Sequence, residues 1–316
     1  MSAFSLKMDI AENRFFNGET SPLFSRQQAQ QARRFHQKIA GYQPTPLVAL
    51  NELSALFGVQ KILVKDESRR FGLNAFKVLG GSYAVARCLA ERMRLPAEGL
   101  ARGMLDAPAA RATAGRITFI STTDGNHGRG LAWTARELGY PCIIYMPKGS
   151  EPTRRDNILA LGAQCSITDL NYDDTVRMSW NMAQEKGYVM VQDTAWDGYE
   201  EIPTWIMQGY MTLATEALEQ MKAMGTLPTH CFLQAGVGSF AGAVVGCLAA
   251  ALGEKAPKFI TVEPHQANCL YKSAVIGDGN PHNVTGDLQT LMAGLACGEP
   301  NTTSWGLLRD YCSAYI

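Results

Sequence analysis

Three short stretches combine glycine with side chains that can bind or react, and each follows a run of residues suited to a β-strand. The first, Phe71-Gly72-Leu73-Asn74-Ala75-Phe76-Lys77, ends on a lysine at the expected start of a helix. A cation there meets the positive end of the helix dipole and the apolar neighbours Phe76 and Val78. Both effects are expected to lower its pKa from about 10.4, toward what an imine-forming amine needs. Taken alone, this turn also suits a surface lysine that happens to follow a loop.

The second stretch, Ser121-Thr122-Thr123-Asp124-Gly125-Asn126-His127-Gly128-Arg129-Gly130, holds three glycines in six residues. Glycine lets the backbone approach a ligand, and Asp124, Asn126 and His127 bring acid, amide and imidazole to one place. Helix capping by Asp124 or Asn126 would explain one polar residue but not the cluster. The third stretch runs from Gln234 through Gly236-Val237-Gly238-Ser239-Phe240 to Gly242. Backbone N–H groups at a helix N-terminus, with glycine allowing contact, form a phosphate cradle. A dinucleotide-binding loop is the competing reading of such a G-x-G. It is opposed by the late position in the chain and by the lack of a strand-borne acid about 20 residues on.

These turns need strands and helices to hold them. Candidate strands are Ile62 to Val64, Ile117 to Ser121, Cys142 to Met146, Ala163 to Thr168, Val189 to Gln192, Thr229 to Gln234 and Phe259 to Val262. Leu131 to Leu138, Glu151 to Leu161 and Tyr172 to Lys186 read as helices closed by Gly139, Gly162 and Gly187. The alternation predicts a wound α/β protein with consecutive βαβ crossovers. In such sheets ligands bind beyond the carboxyl ends of the strands, where the three turns fall. Ala97 to Gly115 reads as a surface helix with a loop.

With 316 residues, 46% of them apolar, the chain can bury a substantial core and is expected to form two domains. Lys+Arg and Asp+Glu are both 29, so no net field favours nucleic acid or an anionic membrane, and a small-molecule partner is expected. The eight cysteines lack metal-site spacing; Cys269 and Cys297 flank loop segments and could meet, but independent reduced thiols are the expectation, consistent with a cytoplasmic location, and no metal is expected. The first twenty residues carry Lys7, Asp9, Glu12, Arg14 and Glu19 and hold no apolar stretch of the kind a signal peptide needs, so none is expected. The uncharged run Ala235 to Leu252 suits a loop and a buried helix better than a membrane span.

In order along the chain, the three turns resemble the fold type II pyridoxal-phosphate (PLP) enzymes, the group of threonine dehydratase and the tryptophan synthase β chain. The likeness also takes in Tyr42-Gln43-Pro44-Thr45-Pro46-Leu47, Val262-Glu263-Pro264 and Ala293-Gly294-Leu295-Ala296-Cys297-Gly298-Glu299-Pro300, and so spans nearly the whole chain. Within the group the chain looks most like the diaminopropionate ammonia-lyase family, through Phe71 to Lys77, Thr122 to Gly130 and Gln192 to Tyr210. Most relatives in the wider group have a small residue where this chain has Asp124.

The resemblance implies two wound domains with mostly parallel sheets. Residues 1–82 and 190–316 would form a larger PLP-binding domain, and 83–189 a smaller one. It implies a PLP imine on Lys77, Asn126 at the ring hydroxyl, and Gly236, Val237, Gly238, Ser239 and Phe240 at the phosphate. Asp124 and Asp193 are the candidate bases; a capping role for Asp193 on the helix near Ile202 is the plainer alternative. The implied reaction is α,β-elimination of D- and L-2,3-diaminopropionate to pyruvate and two ammonia, in a homodimer. A serine or threonine dehydratase-like lyase and an inactive ligand-binding fragment are the alternatives. Because the family continues past the Pro300 region with further strands, a chain ending at Ile316 is expected to be truncated at its C-terminus.

Overall fold

Runs rich in Ile, Val and Phe form short strands, and the structure, a computed structural model, describes residues 7–96, 112 and 117–316. The strands among them are β1 (Ala11–Glu12), β2 (Leu47–Ala49), β3 (Leu63–Lys65), β4 (Phe119–Thr122), β5 (Cys142–Met146), β6 (Gln164–Ile167), β7 (Val189–Met190), β8 (His230–Gln234), β9 (Lys258–Val262) and β10 (Cys312–Tyr315). One sheet has the order β6-β5-β4-β7 and is parallel throughout. The other has the order β1-β10-β9-β8, parallel except where β1 pairs with β10. An antiparallel ribbon, β2-β3, stands apart. The expected α/β class with mostly parallel sheets is therefore what the chain adopts.

Helices fill the crossovers. Tyr172–Lys186 opens on Asn171, whose side chain accepts from the Asp174 N–H at 2.8 Å, and closes on Gly187 at φ 67°. The helix expected from Leu131 begins five residues earlier, at Asn126. The reason is local: Thr123 Oγ1 accepts from the N–H groups of Gly125 (2.9 Å) and Gly128 (3.1 Å), so the cap lies ahead of the polar cluster. The uncharged run at Ala235 becomes the mostly buried fourteen-residue helix Ser239–Leu252, and no described helix is long and apolar enough to cross a membrane. The stretch Ala97 to Gly115 lies, Ala112 excepted, outside the described residues.

The helix Lys77–Arg92 is wedged between Asn126–Leu138 and the long buried helix Glu201–Ala223, and glycines set how closely they approach. A Cβ at Gly130 would lie 2.8 Å from both N and Cα of Val78, and one at Gly80 would lie 2.6 Å from Ile206 Cγ2. Backbone meets backbone at the first crossing, so no side chain can move aside to make room.

A buried ionic cluster fixes the chain just ahead of Lys77. Glu216, from the long helix, accepts from Arg70 at 2.9 and 2.8 Å, from the Tyr42 hydroxyl at 2.6 Å and from the Thr45 N–H at 3.2 Å, and it pairs with Lys65 at 2.8 Å. Burial opposes ionisation of Glu216, but Arg70 and its other donors outweigh it and hold the carboxyl at about 2. A buried carboxylate is tolerated only with such full pairing. The cluster joins the Tyr42 to Thr45 segment, β3 and the loop leading to Lys77. In that loop Phe71 and Asn74 adopt positive φ (49° and 57°), and the Leu73 carbonyl accepts from Arg129 at 3.0 Å.

These contacts separate two glycine-to-alanine substitutions. Gly130→Ala is expected to cost about 1–3 kcal/mol through overpacking. Gly306→Ala, at a helical glycine whose Cβ would meet nothing within 4 Å, is expected to be neutral or stabilising, by up to about 1 kcal/mol. Thermal unfolding of the two variants checks this; equal shifts in Tm would contradict the packing described.

Candidate active site

Lys77 occupies the first position of its helix, after Phe76, and its ammonium forms an ion pair with Asp193 Oδ2. The two side chains are 21% and 8% exposed. The ammonium also lies 5.8 Å from the centre of the Phe76 ring and 5.7 Å from that of Tyr210. Phe240 packs on Phe76 with ring centroids 4.6 Å apart, completing an aromatic wall. The expectation of a lowered lysine pKa is overturned. Burial does oppose the charge, but the Asp193 carboxylate, with Tyr210 and Asp124, outweighs it and raises the lysine above its ordinary value. The sequence disclosed the burial and the helix end but not the partner contributed by a segment 116 residues away.

Asp193 follows β7, and Asp124 follows β4, its parallel neighbour, so both stand at the carboxyl edge of one sheet. Neither caps a helix. Thr123 caps Asn126–Leu138, and the Glu201 helix has Glu200 at its cap position. Burial raises the Asp193 pKa, but the His127 ring, when it carries a proton, and the Lys77 ammonium more than offset it and hold the group at about 2. Asp124 behaves in the opposite way. Burial and the Asp193 charge raise its pKa despite the opposing charges of Lys77 and Arg154, whose Nη1 lies 3.5 Å from Asp124 Oδ2. Asn126 is the first residue of its helix and is exposed.

Residues not singled out beforehand hold Asp193 in place. Gln192 is fully buried; its Oε1 accepts from Ser121 Oγ and from the Thr122 N–H at 2.9 Å each, and its Nε2 donates to the Tyr172 hydroxyl at 2.9 Å. The Asp193 carbonyl accepts from Ser239 Oγ at 2.5 Å, which ties it to the third turn. Asn301 Nδ2 donates to that same Ser239 hydroxyl at 2.8 Å. Glutamine and asparagine carry no chemical signature in sequence; only their buried, bridging positions mark them.

In the third turn Gly238 takes φ 100° and precedes the helix Ser239–Leu252. A Cβ there would lie 2.7 Å from Ser304 Oγ, and one at Gly236 would lie 3.3 Å from Leu295 Cα. The carbonyl of Val237 is drawn away by the Asn301 N–H at 2.8 Å and that of Gly236 by Cys269 Sγ at 3.6 Å. The N–H groups at the helix start are those without intrahelical acceptors, and they make a cradle for an anion. Lysine amine, anion cradle, aromatic wall and two carboxylates are a set that fits PLP: a reacting amine, a phosphate site and a surface for the ring. All eight cysteines are free thiols, Cys269 and Cys297 among them.

Residues 39–316 match the family described as pyridoxal-phosphate dependent enzyme. The diaminopropionate ammonia-lyase of Escherichia coli (strain K12) is 59% identical over 316 residues, covering all of this chain and 78% of the relative. The crystal structure of the Escherichia coli diaminopropionate ammonia lyase in complex with D-serine superposes with a TM-score of 0.93 at 58% identity, covering 100% of this chain and 78% of that one. The same enzyme in complex with an aminoacrylate-PLP azomethine reaction intermediate gives a TM-score of 0.88 at 57% identity, covering 100% of this chain and 77% of that one.

The ion pair sets a pH dependence. Because the Asp193 pKa is depressed to about 2 from 3.8, its contribution to stability is complete above the unfolded value and is lost as pH falls through the folded one. Asp193→Asn is expected to destabilise by about 3 kcal/mol near neutrality, since it leaves Lys77 without its partner. Urea unfolding should show that difference shrinking as the pH falls below about 4. A difference that widened on acidification would contradict the pairing.

Proposed function

This chain belongs to the pyridoxal-phosphate dependent enzymes, in the diaminopropionate ammonia-lyase family, and we propose that Lys77, Asp193 and Asp124 carry its reaction. It is a PLP-dependent ammonia-lyase that converts 2,3-diaminopropionate and water to pyruvate and two ammonia. The observation that carries the residue assignment is the ion pair of Lys77 with Asp193 from the loop after β7, with Asp124, from the loop after the neighbouring strand β4, near enough to raise the lysine further.

When bound, PLP supplies an electron sink that stabilises negative charge at the α-carbon of an amino acid. Lys77 would hold it through its amine, the loop Gly236 to Phe240 would hold its phosphate through backbone N–H groups, and Asn126 would meet its ring hydroxyl. Asp193 keeps the lysine amine in place and, once that amine is engaged elsewhere, stands as a free carboxylate able to take a proton. Asp124 takes a proton from a second direction. Its raised pKa brings it nearer the operating pH, where a general base works best. Phe76, Tyr210 and Phe240 keep water from one side of the amine.

The α-proton of the D-isomer and that of the L-isomer face opposite sides when the carboxylate and β-group are held alike, so one base cannot serve both. The assignment is Asp124 for the D-isomer and Asp193 for the L-isomer. The D-serine complex of the Escherichia coli relative supports a site that admits a D-configured amino acid. A hydroxyl-expelling dehydratase is the weaker reading, because the second carboxylate, Asp124, has no task in it. The same proposal takes the enzyme as a cytoplasmic homodimer. Its free thiols and the exposed apolar side chains Leu53, Leu56, Phe57 and Val64 support this.

Steady-state kinetics on the two isomers test the assignment. Asp124→Asn is expected to lower kcat/KM for the D-isomer about 10²- to 10⁴-fold with a much smaller effect on the L-isomer, and Asp193→Asn the reverse. Parallel losses on both isomers would overturn the two-base reading.

A further inference from the structure

Behind Asp193 lies a group the reaction above leaves idle. His127 is 2% exposed, in the first turn of the helix Asn126–Leu138. Its Nε2 is 2.7 Å from the Val191 carbonyl oxygen, which can only accept, so Nε2 carries the hydrogen. In the neutral ring Nδ1 is then a bare acceptor. That atom is buried without a hydrogen-bond partner among the described residues and lies 3.8 Å from Asp193 Oδ2. Two acceptors facing one another out of water repel, whereas a proton between them makes a charge-assisted pair. Asp193 Oδ2 is thus shared between the Lys77 ammonium and the His127 ring.

We propose that His127 is the proton store behind Asp193: the proton that Asp193 takes from the α-carbon of the L-isomer passes to His127 Nδ1. The O–H bond at Asp193 breaks and an N–H bond forms at Nδ1, leaving a carboxylate beside an imidazolium. Nε2–H remains on the Val191 carbonyl, so the store is closed at its far end and the proton returns only through Asp193. The carboxylate is thereby restored as an anion while the substrate is still bound. The ionisable groups around the pair are Lys77, Asp124, Tyr172, Tyr199, Tyr210 and Cys297. Asp124 has Arg154 as its neighbour instead, so the store serves only the Asp193 side. This inference rests on the reading of Asp193 as a base.

Two substitutions divide the functions of the ring. His127→Gln can keep a donor to Val191 but has no proton acceptor, and His127→Asn removes the Val191 contact while keeping an amide near Nδ1. In the holoenzyme, His127→Gln is expected to lower kcat for the L-isomer about 100-fold, the lower end of what a positioned proton acceptor contributes, with D-isomer turnover within about 3-fold of the parent. A readout independent of turnover is ¹⁵N NMR of the five histidines, with the His127 signals assigned by their loss in His127→Gln. The His127 Nδ1 signal should differ between Asp193→Asn and the parent, because the group facing that atom at 3.8 Å changes from a carboxylate to an amide. An unchanged His127 Nδ1 signal in Asp193→Asn overturns the proposal. Undiminished L-isomer turnover in both His127 variants, with Asp193→Asn impaired, overturns the store and leaves Asp193 as base. Undiminished L-isomer turnover in Asp193→Asn overturns both.

Discussion

An ammonium group held mostly out of water needs a counter-charge, and everything around Lys77 is arranged to supply one. Removing a lysine and an aspartate from solvent costs several kcal/mol each, which their attraction offsets only at close approach and with the remaining polar atoms satisfied. Asp193 reaches the lysine because Gln192 anchors the strand end on Ser121 and Thr122 while Ser239 holds the Asp193 carbonyl. The anion cradle at Gly236 to Phe240 is thus joined to the lysine's partner through a single serine side chain. A shift in one is transmitted to the other.

The lysine is fixed from its own side by two unlike devices. Glycine at the crossings with the flanking helices leaves Lys77–Arg92 no room to slide. The buried Glu216 cluster, with Arg70 at its centre, pins the loop ahead of it. A loop carrying two non-glycine residues at positive φ persists only when its surroundings over-determine it, and this cluster does so. The physical theme is preorganisation: the amine, both carboxylates and the cradle are positioned by contacts within the protein's own packed core.

Much of this was legible in the residues, and the rest failed for identifiable reasons. Strand-to-helix turns could be found because β-branched runs and closing glycines such as Gly139 and Gly187 are local signals, and the structure puts the second and third turns directly after β4 and β8 of the parallel sheets, while the first follows β3 of the antiparallel ribbon at a distance of several residues. The start of the Asn126 helix was misjudged because Thr123 caps across a glycine, a pattern that composition does not expose. The sign of the Lys77 shift was misread because its deciding partner is distant in sequence. Gln192, Asn301 and the Glu216 cluster were invisible for the same reason: their roles come from long-range contacts between residues of ordinary type. The chain spans 78% of the length of the Escherichia coli relative.

In the proposed reaction the amine of Lys77 is the group that meets the cofactor. Borohydride reduction of the PLP-loaded protein followed by proteolysis and mass spectrometry of the peptides tests it without relying on turnover. Reduction should fix a pyridoxyl group on the peptide containing Lys77 and on no other lysine, and Asp193→Asn should change the extent of labelling but not its place. A pyridoxyl group found on a different lysine, with Lys77 recovered unmodified, would contradict the account.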